Sequence, residues 1–201
     1  MALRTIFGAS LCTAILLSAC APTEQSAEAT SAEATSAEDA ARPTVAARPD
    51  VTEDDRPAPE AAAVYAHLTA ADYRGGWALW PGKGEKYEGQ EPHGMLLTTY
   101  LNGIASQALD AGVGAMPGGA IIVKENYMPD GTLAATTVMY KVDGYNPDAG
   151  DWWWAKLLPD GSVDGDGMME GKVSGCIGCH TARADNDYVM TGELDAGSPD
   201  R

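Results

Sequence analysis

The run Cys176-Ile177-Gly178-Cys179-His180 constrains this chain more than any other stretch, because it concentrates scarce chemistry near one end. Of 201 residues only four are cysteine and three histidine, and this run takes two of the first and one of the second. Two thiols at this spacing beside a histidine have few uses. A disulfide across so small a loop adds little constraint to the unfolded chain. A structural zinc ion wants four ligands, and Cys, Cys and His supply three. C-x-x-C-H is the attachment signature of c-type haem, in which both thiols add to the porphyrin vinyl groups and the adjacent histidine ligates iron. Cys176 and Cys179 are therefore the expected attachment residues for one haem c, and His180 the expected metal ligand. A redox dithiol is the alternative.

The other two cysteines fall in a segment with a different character. Cys12 lies in the apolar run Ile6 to Leu17, preceded by Arg4 and followed by small residues, the shape of a secretory signal peptide over residues 1–19. The run ends in Leu17-Ser18-Ala19-Cys20, which resembles the lipobox of bacterial lipoproteins and makes Cys20 the expected lipidation site. Residues 20–60 then read "SAEATSAEATSAED" and "RPTVAARPDVTEDDRPAPE", with no aromatics and frequent acids and prolines, so nothing offsets the entropy of ordering. An acidic disordered tether of that length reaches on the order of 35 Å. The formal charge of -16 argues against nucleic acid and against an electrostatic grip on anionic lipid. Membrane contact is expected through lipid alone. The expected location is the bacterial cell envelope, with the domain in the periplasm or outside the cell.

Residues 61–191 suffice for one domain, followed by a flexible tail over 192–201. "EAAAVYAHLTAAD" predicts a helix and "GMLLTTYL" a strand. Asn102 is placed to cap a helix through "GIASQALDA". "GGAIIVKENY", "TLAATTVMYKV" and "DWWWAKLL" predict further strands, separated by the turn-forming "PDG" and "DGYNPDAG". The fold class expected is α+β, mainly antiparallel sheet with flanking helices and a C-terminal helix carrying the C-x-x-C-H motif. "DGSVDGDG" is read as a solvated turn, because Gly171 stands where a calcium loop needs its final glutamate.

Together, "GGAIIVKENY", the Trp152 to Trp154 strand and the late "CIGCHTARADNDYVMT" resemble the cytochrome P-460 family, which includes cytochrome c′-beta. The resemblance covers roughly Tyr73 to Thr191. It implies a haem c protein that oxidises hydroxylamine with nitric oxide and nitrous oxide chemistry, passing electrons to a redox partner protein. It also implies a covalent crosslink between the porphyrin and the lysine of the Val-Lys-Glu strand, by position Lys124, which becomes both a candidate catalytic and a cofactor-binding residue. Cytochrome c′-beta lacks the crosslink and binds nitric oxide at an open iron position, so a non-catalytic nitric oxide binder is the alternative function, and a six-coordinate electron carrier a third. A homodimer remains open. Two features depart from the family's pattern: the strand Leu133 to Lys141 has Thr136 and Thr137 but no distal carboxylate, and the single phenylalanine is Phe7.

The residues themselves bear on Lys124. Strand alternation puts Lys124 with Ile122 and Asn126, and Ile121, Val123 and Glu125 on the other face. A lysine in a strand buried on both sides loses its proton more readily, which makes the amine a nucleophile. The competing reading is an edge lysine reaching water beside a carboxylate, and Lys141 and Lys156 share the strand setting. His93, in "EPHGM", is read as a turn histidine or a second axial ligand, and His67 as an exposed helical residue.

Overall fold

The computed structural model describes residues 55–195. The signal-peptide, Cys20 and most of the tether readings lie outside these residues. In chain order the elements are α1 (Ala61–Ala70), α2 (Tyr73–Gly76), β1 (Ala78–Leu79), β2 (Tyr87–Glu88), β3 (Leu96–Leu101), α3 (Gly103–Ala111), β4 (Ile121–Tyr127), β5 (Leu133–Lys141), β6 (Trp152–Leu157), β7 (Glu170–Gly171) and α4 (Ser174–His180). Every strand pairing is antiparallel, in the order β1-β3-β4-β5-β6-β7, with β2 beside β1 on the outer edge of β3. The α+β class with a mainly antiparallel sheet is as expected.

Each long strand buries both faces, which explains why their apolar residues run nearly continuously instead of alternating. One face carries Tyr100, Ile121, Val123, Val138 and Trp153 against Val64 and Leu68 of α1. These two residues and Ala61 recur at helical spacing, so α1 presents a single apolar stripe. Glu170 reaches across to accept from the Ala61 amide at 2.8 Å, placing a carboxylate at the positive end of α1. The opposite face carries Leu101, Ile122, Met139, Trp152 and Trp154 against Ala105, Ala108 and Leu109 of α3, with Cys176 and Ile177 of α4 packed on the same cluster.

Asn102 ties α3 to the sheet. Its Oδ1 accepts from the amides of Ala105 and Ile121 at 2.9 and 3.1 Å, and its Nδ2 donates to the Gly119 carbonyl at 2.8 Å. The predicted cap is therefore also a clamp on β4. Packed chain extends beyond the expected ends of the domain. Tyr140 donates to the Pro57 carbonyl, and Leu194 is buried, its amide donating to Asn186 Oδ1 at 2.8 Å. A leucine with apolar neighbours beneath it outweighs the polar composition around it. His67 is half-buried, its ring centre 6.3 Å from that of Trp77, because α2 folds back over the end of α1.

Candidate haem site

The helix α4 puts Cys176, Cys179 and His180 on one face, since positions three and four apart lie together on a helix. Both cysteines are free thiols; Cys176 is half-buried against the core and Cys179 exposed. His180 is buried at 7 % exposure. Its Nδ1 lies 2.7 Å from the Tyr188 carbonyl oxygen. A carbonyl only accepts, so Nδ1 carries the proton and Nε2 keeps its lone pair for a metal. Burial lowers the His180 pKa, the Tyr188 contact opposes that shift, and the Lys124 charge adds to it.

A strained turn aims the Tyr188 carbonyl. Asp187 and Tyr188 have φ of 52° and 65°, two successive non-glycine residues in the left-handed region. Three interactions hold Asp187 there: Lys141 Nζ at 2.5 Å on Oδ1, the Met116 amide at 2.8 Å on Oδ2, and Trp152 Nε1 donating to its carbonyl at 2.8 Å. The sequence signal was present in "ADNDY", since Asn and Asp adopt this conformation most readily. Its purpose shows only once His180 is in view.

Opposite His180 the sheet supplies a polar row. Thr99, Lys124, Thr137 and Lys156 pair directly across β3, β4, β5 and β6, and so share a face. Among the described residues Lys124 has no carboxylate partner, whereas Lys141 is paired with Asp187 and Lys156 with Asp164 at 2.7 Å. Burial alone lowers the Lys124 pKa from 10.5 to about 8. His93 lies close by: burial, then the charges of Lys124 and His180, push its pKa down to about 4. Its Nδ1 is 3.4 Å from Thr137 Oγ1. Glu125 takes the other face, as alternation requires, and accepts from Tyr73 and Tyr127.

Two buried polar atoms here lack hydrogen-bond partners. Trp154 Nε1 is one, and its ring centre is 4.6 Å from that of His180; Asn126 Oδ1, on the Lys124 face, is the other. An unmet buried donor costs about 1–3 kcal/mol, so Trp154 fits a site whose acceptor arrives with a bound group. Haem carboxylates are such acceptors, and the free Nε2 of His180 and the adjacent thiols match the same group. The residues present therefore fit a covalently attached haem. Among the described residues, no cluster of three His, Cys, Asp or Glu side chains competes as a protein-only metal site. A hollow lined by Tyr65, Tyr73, Arg74 and Thr136 lies away from all predicted site residues.

A seven-stranded antiparallel sheet, flanked by helices and facing a C-x-x-C-H helix with buried polar groups, defines an α+β protein with a candidate prosthetic-group site on one face. The chain belongs to the cytochrome P460 family, whose model, Cytochrome P460, matches residues 70–191. Membership implies a haem cofactor and points to a c-type haem protein. A comparison with curated proteins returns no match. Among the described residues, no helix is long and apolar enough to cross a membrane.

Proposed function

We propose that this chain is a haem c protein, held through Cys176 and Cys179 with His180 as proximal ligand, that oxidises hydroxylamine with nitric oxide and nitrous oxide chemistry. The carrying observation is the partly buried Lys124 amine, on the sheet face it shares with Thr99 and Thr137 and without a carboxylate partner among the described residues, whose charge acts on both His180 and His93. Haem c supplies the redox-active iron that takes up the substrate's electrons. The chain orients it: Tyr188 fixes the His180 tautomer, and Trp154 offers its unmatched N–H. Lys124 is poised for the porphyrin crosslink, because an amine with pKa about 8 is partly neutral near pH 7.

Thr137, Asn126 and His93 make the opposite side polar. Such a lining suits a substrate bearing N–H and O–H bonds better than an apolar diatomic, which favours oxidation over simple nitric oxide storage. Protons leave through these groups, and electrons pass to a redox partner protein. With the Cys20 lipid and the acidic tether, the domain would work from an envelope surface.

The test is the dithionite-reduced spectrum of the full-length chain produced with haem c maturation machinery, followed by hydroxylamine-dependent reduction of an artificial oxidant. A strongly red-shifted ferrous Soret band that is lost in K124L, together with turnover, is the expected result. An ordinary ferrous haem c spectrum without turnover overturns the enzyme reading and leaves nitric oxide binding as the function.

A further inference from the structure

We propose that His93 is a displaceable sixth ligand to the iron held by His180, a role that rests on the haem reading above. The His93 and His180 ring centres stand 6.1 Å apart with their planes 86° to one another. An imidazole nitrogen bound at about 2.0–2.1 Å leaves its ring centre roughly 3 Å from a first-row metal, so imidazoles on opposite sides of one ion stand about 6 Å apart. The pair has the separation that shared ligation requires.

Hydrogen bonding points the same way. A ligating histidine donates its other ring N–H to a protein acceptor. His180 does so to the Tyr188 carbonyl, and Thr137 Oγ1 lies 3.4 Å from His93 Nδ1. Thr137 gives its own proton to the Lys124 carbonyl at 3.3 Å and accepts from Asn126 Nδ2 at 3.3 Å, which leaves one oxygen lone pair to accept from His93. His180 thereby keeps Nε2 for a metal; His93, which also meets the Asn126 side chain, keeps its own when Nδ1 carries the proton. His67 packs beside Trp77 and takes no part.

The loop between β2 and β3 explains both the placement and the displaceability. Gly94 has φ of 136°, and a Cβ there would sit 3.2 Å from the Tyr127 carbonyl oxygen and 3.6 Å from Asn126 Cβ, so glycine lets the backbone close on the end of β4. His93 is carried to the site by that approach. Yet it belongs to a turn, with Glu91, Pro92 and Met95 exposed around it. Releasing it breaks no strand ladder, whereas releasing His180 would pull on α4 and the Tyr188 turn. A small nitrogenous ligand would therefore enter by replacing His93.

The experiment compares ferric full-length wild type, H93A, H93Q and K124L by absorption and electron paramagnetic resonance, with nitric oxide binding rates alongside. Expected are low-spin iron in wild type and K124L, high-spin iron in H93A and H93Q, return to low spin when imidazole is added to H93A, and at least tenfold faster nitric oxide binding in both His93 variants. High-spin wild-type iron, or low-spin H93A and H93Q, overturns the assignment. Low-spin H93A combined with high-spin K124L would name Lys124 as the ligand instead. Wild type that carries no covalent haem overturns the haem reading itself, and the His93 assignment with it.

Discussion

Replacing Glu125 by glutamine tests whether the sheet separates a structural face from the haem face. The carboxylate is fully buried. Its Oε1 accepts from Tyr73 at 2.8 Å and from Arg74 Nε at 2.5 Å, and its Oε2 from Tyr127 at 2.5 Å. Hydrogen bonds to a charged group contribute about 1.5–3 kcal/mol each, against about 1 for neutral pairs, so neutralising three of them costs about 3 kcal/mol. Arg74 is 54 % exposed and rehydrates, so no stranded charge adds to that figure. At about 3 °C per kcal/mol for a domain of this size, the melting temperature of E125Q falls by about 10 °C. The Tyr127 hydroxyl, raised to about 12 by burial and then by Glu125, should titrate at lower pH in E125Q. Because Glu125 lies across the sheet from Lys124, haem spectra and the proposed hydroxylamine turnover, measured well below both melting points, should change less than twofold. An E125Q chain that melts within 2 °C of wild type but loses turnover or shifts its Soret band would refute the face assignment and make Glu125 the missing distal carboxylate.

Lys124 makes stability depend on pH in haem-free C176A/C179A chain. A lysine whose folded pKa is depressed to about 8 destabilises below that pH and ceases to do so as pH rises toward its unfolded 10.5, an effect of about 3 kcal/mol at about 1.4 kcal/mol per unit. Urea midpoints should therefore rise between pH 8 and 10 and stay flat across that window in K124M. Asn102→Ala removes a cap and two bonds to the β4 approach, and should lower stability by about 2–3 kcal/mol, with Asn102→Asp recovering part of it, as read by thermal melting. Asp187→Ala leaves Lys141 unpaired at 11 % exposure and frees the Tyr188 turn, so about 3–5 kcal/mol is lost and the reduction potential of the haem moves, whereas D187N retains part of both.

The long strands, α1, the Asn102 cap and the motif helix were legible because each rests on a local rule: alternation, helical spacing, a capping side chain, or a short motif. The face of Lys124 was legible for the same reason. The two-residue strands β1, β2 and β7 were not, since so short a run has no periodicity and exists only by pairing with a neighbour. His67 and Leu194 were misjudged where α2 or a returning tail covers a residue that local composition leaves exposed. His93 could not be resolved from "EPHGM", because its position depends on a loop closing against β4 across more than thirty residues. Lys141 and Lys156 looked equivalent to Lys124 until Asp187, from a distant turn, and Asp164, from the turn after β6, folded back to pair with them.

Lys124 and Glu125 are neighbours of opposite charge that the fold keeps from neutralising each other. A salt bridge between them would restore the lysine to its ordinary range and remove the nucleophile. Pleating prevents it by sending successive side chains to opposite faces. Register then decides which charge lies on the candidate haem face, because a one-residue slip exchanges every side chain between faces. Pairing of Lys124 with Thr99 on one side and Thr137 on the other fixes that register, and the only irregularity in the β4 to β5 ladder falls later, between Asn126 and Tyr127. The bulge re-aims the end of the strand after both charges have been assigned. A single residue inserted between Ile121 and Lys124 would therefore do more than loosen the sheet: it would present the lysine to Tyr73 in place of the carboxylate and carry Glu125 to the candidate haem face.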